Sequence, residues 1–212
     1  MDTPRLKLVR LTPEHLPGYH EIWSDPLATR WSSHGPCKDY AETEEWMSAL
    51  LPEKNPQGEN YAIFLREDID WNSCKKRADH DNDTTYENLS DPEFFMNKHH
   101  HRSISEPGLL LGVVGTWRSH PIPEVGIIFH QSAWGYGFAT EALNAFLEIF
   151  WREKSEFSVL EAYCDTENRA SASVLRKCGF VLVETIVEDY VLPWMKRPKR
   201  NSLKFGITRQ QL

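Results

Sequence analysis

The stretch HQSAWGYGFATEAL, residues 130–143, decides how this chain is read. An apolar run, residues 125–129, leads into it. A stripe of Ala139, Ala142, Leu143, Phe146, Leu147 and Phe150 leads out at helical spacing. A strand therefore hands over to a helix across Gly135 and Gly137. Glycine accepts positive φ and lets a ligand approach the backbone closely. A helix N-terminus adds unpaired N–H groups and a partial positive charge. The pair fits a phosphate cradle, and it fits equally a tight strand-to-helix turn with no ligand. Two sharper motifs are excluded. A dinucleotide fingerprint wants a third glycine where this chain has Thr140, and a P-loop ends in Gly-Lys-Ser/Thr where this chain has Gly137-Phe138-Ala139.

Working outward, residues 5–11 read as a first strand. Thr12-Pro13-Glu14 reads as a helix start, with Thr as N-cap and Pro at the first helical position. Residues 39–51 read as a second helix, broken by the turn-rich PEKNPQG at 52–58. Residues 61–65, 109–117 and 124–129 read as strands, the last apolar enough to be central. After the long helix come a strand at 159–164, a short helix at 168–177 closed by Gly179, and strands at 180–192 and 203–208. The order β-α-α-β-β-β-α-β-α-β-β implies an α/β (α+β) domain with a mixed sheet flanked by helices. Residues 66–107 are polar with almost no periodicity. They read as an insertion or mobile loop within a single domain, with a short helix at 92–97. His99, His100 and His101 lie there. Neighbours in sequence cannot all face one ion in a regular element, so they read as a solvated loop, and no metal is expected.

The chain has 212 residues, 40% of them hydrophobic and 12% aromatic, enough for a real core. The net charge of −7 gives no support for long-range attraction to nucleic acid or anionic membrane. An anionic ligand would have to be held by local donors. No run of about 18 apolar residues is present, so no membrane span is expected. The N-terminal residues lack the apolar core of a secretory signal. Cys37, Cys74, Cys164 and Cys178 show no CxxC spacing and read as reduced thiols. The expected address is the cytoplasm, with the nucleus open as well, for a monomer or homodimer.

WGYGFATEAL at 134–143, followed by DTENRASASVLRKCGF at 165–180, resembles the GNAT acyltransferases, and within them the RimJ/RimL-like N-acetyltransferases. The element order agrees, and the resemblance covers most of the chain outside 66–107. It implies a mostly antiparallel sheet of about seven strands, opening as a V between the fourth and fifth. It implies acetyl-CoA as cosubstrate, with the pyrophosphate on the amides of Gly135, Tyr136, Gly137, Phe138, Ala139 and Thr140, beside Trp134. The pantetheine arm would pair with the backbone of Ile127, Ile128 and Phe129. Asn168 would bond that arm or order the acceptor side. Lys177 would meet the outer phosphates or simply lie on a solvated helix face. Two positions depart from the family pattern. Ser132 stands where many members have Gln or Arg, and Leu175 stands where many have a Tyr that protonates the leaving thiolate.

Acyl transfer to an amine needs a deprotonated amine, donors for an oxyanion and an exit for the thiolate. It needs no protein nucleophile, only positioning. Cys164, with no activating base near it in sequence, is therefore not read as a nucleophile. Glu124, opening the central strand beside the family's cleft, is the candidate base, or else a strand-end surface carboxylate. Ser171, one helical turn after Asn168, can donate to the thiolate or order a water, or else satisfy backbone amides at the helix start. A backbone N–H near Phe129 is the expected oxyanion donor. Trp23, Trp31 and Trp46 pack the core or line an aromatic acceptor pocket. The leading class is an N-acetyltransferase acting on a primary amine, such as a protein N-terminus, a polyamine or an amino sugar. A non-catalytic acyl-CoA-binding module and a scaffold acting through 66–107 are the competing classes.

Overall fold

The computed structural model describes residues 1–74, 108–192 and 199–209, apart from the side chain of Asn72. The expected helix at 92–97 and the three tandem histidines lie outside the described residues. Seven strands form one sheet: β1 (Leu6–Arg10), β2 (Asn60–Leu65), β3 (Gly112–Arg118), β4 (Glu124–Phe129), β5 (Val159–Asp165), β6 (Val181–Tyr190) and β7 (Arg200–Thr208). Their spatial order is β1-β2-β3-β4-β5-β7-β6. Every neighbour pair is antiparallel except β4 with β5. The helices are α1 (Leu16–Trp23), α2 (Tyr40–Ser48), α3 (Phe138–Glu153) and α4 (Arg169–Lys177).

The expected boundaries shift for local reasons. Thr12-Pro13 opens a single 3-10 turn, Pro13–His15, and α1 follows it directly. Asp39 is not helical. It is the N-cap of α2, its carboxylate accepting from the Glu42 N–H at 2.9 Å. Strand β7 begins three residues earlier than expected, because Arg200 anchors its start to Asp165. The polar reading of residues 66–107 fails at its beginning. Trp71, in a 3-10 turn at Trp71–Ser73, packs its ring 4.3 Å from Tyr136 and 5.8 Å from Phe138.

Alternation along the strands splits the core into two layers. One face, with Leu6, Leu8, Ile63, Val114, Val125 and Phe129, packs against α3 and α4. The other, with Leu11, Ala62, Val113 and Ile128, packs against α1 and α2. Helix α3 carries the deepest stripe, including Ala142, Leu143, Phe146, Leu147 and Phe150. Its last turn is closed by Arg209, whose guanidinium donates to the carbonyls of Trp151 at 2.6 Å and Lys154 at 2.7 Å. A cation at a helix C-terminus also offsets the helix dipole.

Phe146 is fully buried at the centre of this layer, between Tyr61 and Phe150. Phe146→Ala is expected to lower the unfolding free energy by about 3–5 kcal/mol, read from denaturant midpoints at unchanged slope.

Candidate active site

Strands β4 and β5 share one residue pair, Glu124 with Glu161, fastened by the Glu161 N–H donating to the Pro123 carbonyl at 2.9 Å. Beyond that pair they diverge. The alternation of β4 settles what faces the gap. His130 donates to the Leu111 carbonyl at 2.8 Å, so residues of even number in β4 bond to β3. The main-chain groups of Val125, Ile127 and Phe129 therefore point toward β5. The Phe129 carbonyl already accepts from the Trp134 indole N–H at 3.0 Å. The N–H and C=O of Ile127 and the N–H of Phe129 are left on the rim of the opening.

The loop after β4 folds over the wide end of this gap. Residues Gln131–Ala133 make one 3-10 turn, in which the His130 ring accepts from the Ser132 N–H at 3.2 Å. Gly135 has φ 88° and Gly137, the N-cap of α3, has φ 79°. Both lie in the left-handed region, which side chains disfavour by about 1–2 kcal/mol. The first intrahelical bond runs from the Glu141 N–H to the Gly137 carbonyl at 3.2 Å. Helix geometry leaves the N–H groups of Phe138, Ala139 and Thr140 without an intrahelical acceptor.

This loop is clamped from the far edge of the sheet. Arg5 donates to the Tyr136 carbonyl at 3.0 Å, pairs with Glu141 at 2.7 Å and covers the Phe138 ring at 4.7 Å. Glu141 also accepts from the Thr3 hydroxyl at 2.6 Å and the Arg5 backbone N–H at 2.8 Å. Burial pushes its carboxyl upward, but these bonds outweigh it and hold the group below its ordinary range. From the other side, the Cys178 thiol contacts the Thr140 carbonyl at 3.5 Å. Sequence reading missed this clamp. Its partners lie more than a hundred residues apart, and only the acidic residue in the first turn of α3 hinted at it.

Asn168 is the N-cap of α4, and its side-chain oxygen accepts from the Ser171 N–H at 3.1 Å. The two residues are thus together, and Asn168 supplies the capping that Ser171 was weighed for. Just before them, Asp165 is buried and bound by Arg200 and Tyr190, and by the Glu167 N–H at 2.7 Å. Burial alone would raise its carboxyl, but the bonds from Arg200 and Tyr190 hold it below the ordinary range. Lys177 is exposed at the end of α4. Leu175 is buried in the core, so no side-chain acid stands at that position. Burial pushes the Cys164 thiol up to about 11, which makes it a poor nucleophile at neutral pH.

Glu124 lies at the narrow end of the gap, its carboxylate paired with Arg118 at 2.6 Å and a quarter exposed. Desolvation raises its carboxyl above the ordinary range. Arg118 opposes this, while Glu161 and Asp189 add to it. Trp23, Trp46 and Trp117 meet edge-on or tilted at 5.4–5.8 Å on the same face as Glu124. Trp31 instead lies under the Arg200 guanidinium at 5.2 Å. Among the described residues, no cluster of three His, Cys, Asp or Glu could hold a metal ion.

Residues 5–181 match the family model of the acetyltransferase (GNAT) domain. This chain belongs to the GNAT acetyltransferase family. By family it is an acyltransferase. A curated relative, the uncharacterized protein YkkB of Bacillus subtilis, is 35% identical over 65 residues, 31% of this chain and 37% of that protein. The match thus spans little more than a third of the relative's length. Spermidine N-acetyltransferase from Vibrio cholerae, solved with CoA and spermine, has the same fold at TM-score 0.67 and 15% identity, over 99% of this chain and 98% of that one. So does the acetyltransferase from Salmonella typhimurium that modifies the N-terminal serine of ribosomal protein L7/L12, at TM-score 0.66 and 15% identity, over 97% and 96% of the two chains. Among the described residues of this GNAT chain, no helix is long and apolar enough to cross a membrane.

Two outcomes follow for the GNAT site. Gly137→Val places a β-branched residue at positive φ and is expected to cost about 1–3 kcal/mol, measured by denaturant unfolding. Asp165 has a folded-state value below its unfolded one, so its stabilisation is present above about pH 4 and is lost as pH falls further. Arg200→Met leaves that carboxylate buried without its counter-charge, held only by Tyr190 and the Glu167 N–H. It should cost about 3–5 kcal/mol at pH 7, and the deficit should shrink as the buffer is taken below pH 4.

Proposed function

We propose that the whole chain is one catalytic domain, an acetyl-CoA-dependent N-acetyltransferase acting on a primary amine by direct attack. The observation that carries this reading is the one-ended pairing of β4 and β5, with a doubly left-handed glycine turn and a helix N-terminus over its open end. The amides of residues 135–140 would take the pyrophosphate, each charge-assisted bond contributing about 1.5–3 kcal/mol. Trp134 would flank that site, and Lys177 would meet the outer phosphates. The free edge of Ile127–Phe129 would receive the pantetheine amides as a short added strand, and Asn168 would bond the same arm through its remaining N–H groups. This fits an acidic protein with an anionic cosubstrate, because the donors are local and fixed.

The chemistry needs only these residues. The amine nitrogen attacks the thioester carbonyl carbon as its proton passes to Glu124, directly or through one water. The Phe129 N–H stabilises the oxyanion. The C–S bond then breaks, the thiolate takes a proton from the Ser171 hydroxyl or from a water it orders, that donor is reprotonated from solvent, and Glu124 returns its proton to solvent. Thiol pKa values near about 8.5 make an unassisted exit acceptable, which suits a site with Leu175 in place of an acid. The two structural neighbours described above carry names that place amines as their substrates, a polyamine in one and a protein N-terminus in the other. We place this activity in an intracellular compartment, where acetyl-CoA is made and the four thiols stay reduced.

The buried Leu175 is also what a non-catalytic acyl-CoA-binding module would show, so turnover decides. Thiol release from acetyl-CoA against an amine panel should be detected with the wild-type chain. Glu124→Gln should lower kcat by about 10²–10⁴-fold with CoA affinity unchanged. Because desolvation raises Glu124, the limb of kcat/KM that it controls should rise with pH at a value above the ordinary glutamate range near about 4.3. Full activity in Glu124→Gln would remove it as the base, and no turnover with tight CoA binding would favour the binding module.

A further inference from the structure

A row of charge crosses four neighbouring strands of the sheet. Arg118 on β3 pairs with Glu124 on β4 at 2.6 Å, and Lys204 on β7 pairs with Glu161 on β5 at 2.9 Å. In strand order the row is plus, minus, minus, plus. Glu124 and Glu161 are the register pair that β4 and β5 share, so their side chains leave the same face. The two layers of the core agree. Ile128, of even number like Glu124, packs toward α1 and α2. Leu160, Ala162 and Cys164 pack toward α3 and α4, which sends Glu161 and Tyr163 the other way.

Two carboxylates side by side are an unfavourable choice for a sheet, because each disfavours ionisation of the other. Desolvation raises the Glu124 carboxyl most, Arg118 opposes it, and the charges of Glu161 and Asp189 add to it. Among the described residues, the cations bonded to this pair stand only on the outer strands, β3 and β7. The boundary where the gap opens holds carboxylates alone. Glu161 is also fixed in place. The Tyr163 hydroxyl donates to one of its oxygens at 3.0 Å, and Lys204 bonds the other. A carboxylate offers about four acceptor positions, so Glu161 keeps some unused, and its side chain is 13% exposed.

The acceptor nitrogen has to come to this boundary if Glu124 takes its proton. Neighbouring strands lie about 4.8 Å apart, and an ammonium bonds a carboxylate oxygen at about 2.7–2.9 Å, so one nitrogen can reach both side chains. The next residue on that face of β4 is Gly126. A Cβ there would stand 1.8 Å from the Trp117 indole nitrogen, so this indole lies directly over the strand beside the pair. Trp117 is 37% exposed. An aromatic surface attracts a cation and gives its carbon chain an apolar wall.

We propose that Glu161 is a specificity-determining residue of the acceptor site: with Glu124 it seats the reacting nitrogen as an ammonium ion, so the substrates are strongly basic alkylamines, and amines uncharged at neutral pH are rejected. This rests on the acetyltransferase reading above. Alkylamines are cations at pH 7, with pKa values near about 10.4. The seated ion loses one proton to water before attack. The nitrogen becomes positive again as the C–N bond forms, and the same two carboxylates meet that charge. Glu124 then takes the proton. Glu161 takes none and supplies charge and position.

The test compares matched probes binding to the wild-type chain saturated with CoA at pH 7, by calorimetry: butylamine with butan-1-ol, and cyclohexylamine with aniline. The first of each pair is a cation and the second is uncharged. At least one cation should bind about tenfold or more tightly than its partner. Glu161→Gln keeps the shape and leaves an oxygen for Tyr163. It should weaken the cation about tenfold and leave the neutral partner unmoved. Lys204→Met removes the competing cation from Glu161 and should tighten the probe cation several-fold. Opposite signs from the two members of one ion pair cannot come from damage to the fold, and melting temperature and CoA affinity are the controls. Equal binding within both pairs, no binding by any probe, or weakening by both variants alike overturns the seat. Acetylation of butylamine and aniline with equal kcat/KM would remove the seat and leave the acetyltransferase reading standing, whereas absence of CoA binding would remove both.

Discussion

Parallel strands β4 and β5 are joined at Glu124 and Glu161 and nowhere further along. A sheet that abandons its ladder exposes main-chain donors and acceptors, and in a protein interior that is costly. The cost is bearable only if something else takes up those groups. Part of the answer is internal, since the Trp134 indole closes the Phe129 carbonyl. The remaining N–H and C=O groups of Ile127 and Phe129 form a short polar rim between two hydrophobic layers. An extended ligand carrying amides is the kind of molecule that matches it, for the same reason that a strand adds to a sheet edge.

The opening would be of little use without a fixed anion site at its wide end. A loop with two residues at positive φ is a high-energy arrangement, and the chain holds it by contacts from three directions. Arg5 reaches from the first strand, Trp71 covers Tyr136, and Cys178 touches the first turn of α3. Glu141 serves two ends here. It sits in the first turn of α3, where a carboxylate is favoured by the helix dipole. It also neutralises the Arg5 guanidinium, which would otherwise compete for an incoming phosphate. An incoming anion would then meet main-chain N–H groups, whose direction is set by the helix. On the proposed reading, a chain of net charge −7 would hold its anion by these local donors.

What could be read in advance follows from how local each feature is. The glycine pair, the N-cap Asn168 and the alternating strands are written in neighbouring residues, and the element order was legible from them. So was the start of a helix just after the glycine pair. Features built by distant partners were not. The Arg5–Glu141 clamp spans 136 positions, and the anchoring of β7 through Asp165 and Arg200 spans 35. Trp71 stood in a polar stretch and looked solvated, although a lone tryptophan there was a sign of a packing partner. Gly126 is the most instructive case. A single glycine inside an apolar strand marks a close approach, yet nothing in the sequence says that Trp117 is what approaches.

The position of Glu124 has an energetic consequence for the reaction. Moving a proton from a free alkylammonium, near about pKa 10.4, to an ordinary glutamate, near about 4.3, is uphill by about 8 kcal/mol. Desolvation at the narrow end of the gap raises Glu124 and narrows that difference, but no modest shift closes it. The first proton is therefore lost to solvent, which leaves a minor population of neutral amine carrying the lone pair that attack requires. As that nitrogen bonds to the thioester carbon it loses electron density and its remaining protons become far more acidic, so transfer of one of them to Glu124 would turn downhill during the attack. A carboxylate only moderately raised, and steadied by Arg118 rather than buried beyond ionisation, suits that timing better than a stronger base would. The tuning that matters in this site is then positional. In the proposed reaction, the narrow end of the gap would have to hold Glu124 within reach of the nitrogen at the moment the C–N bond forms.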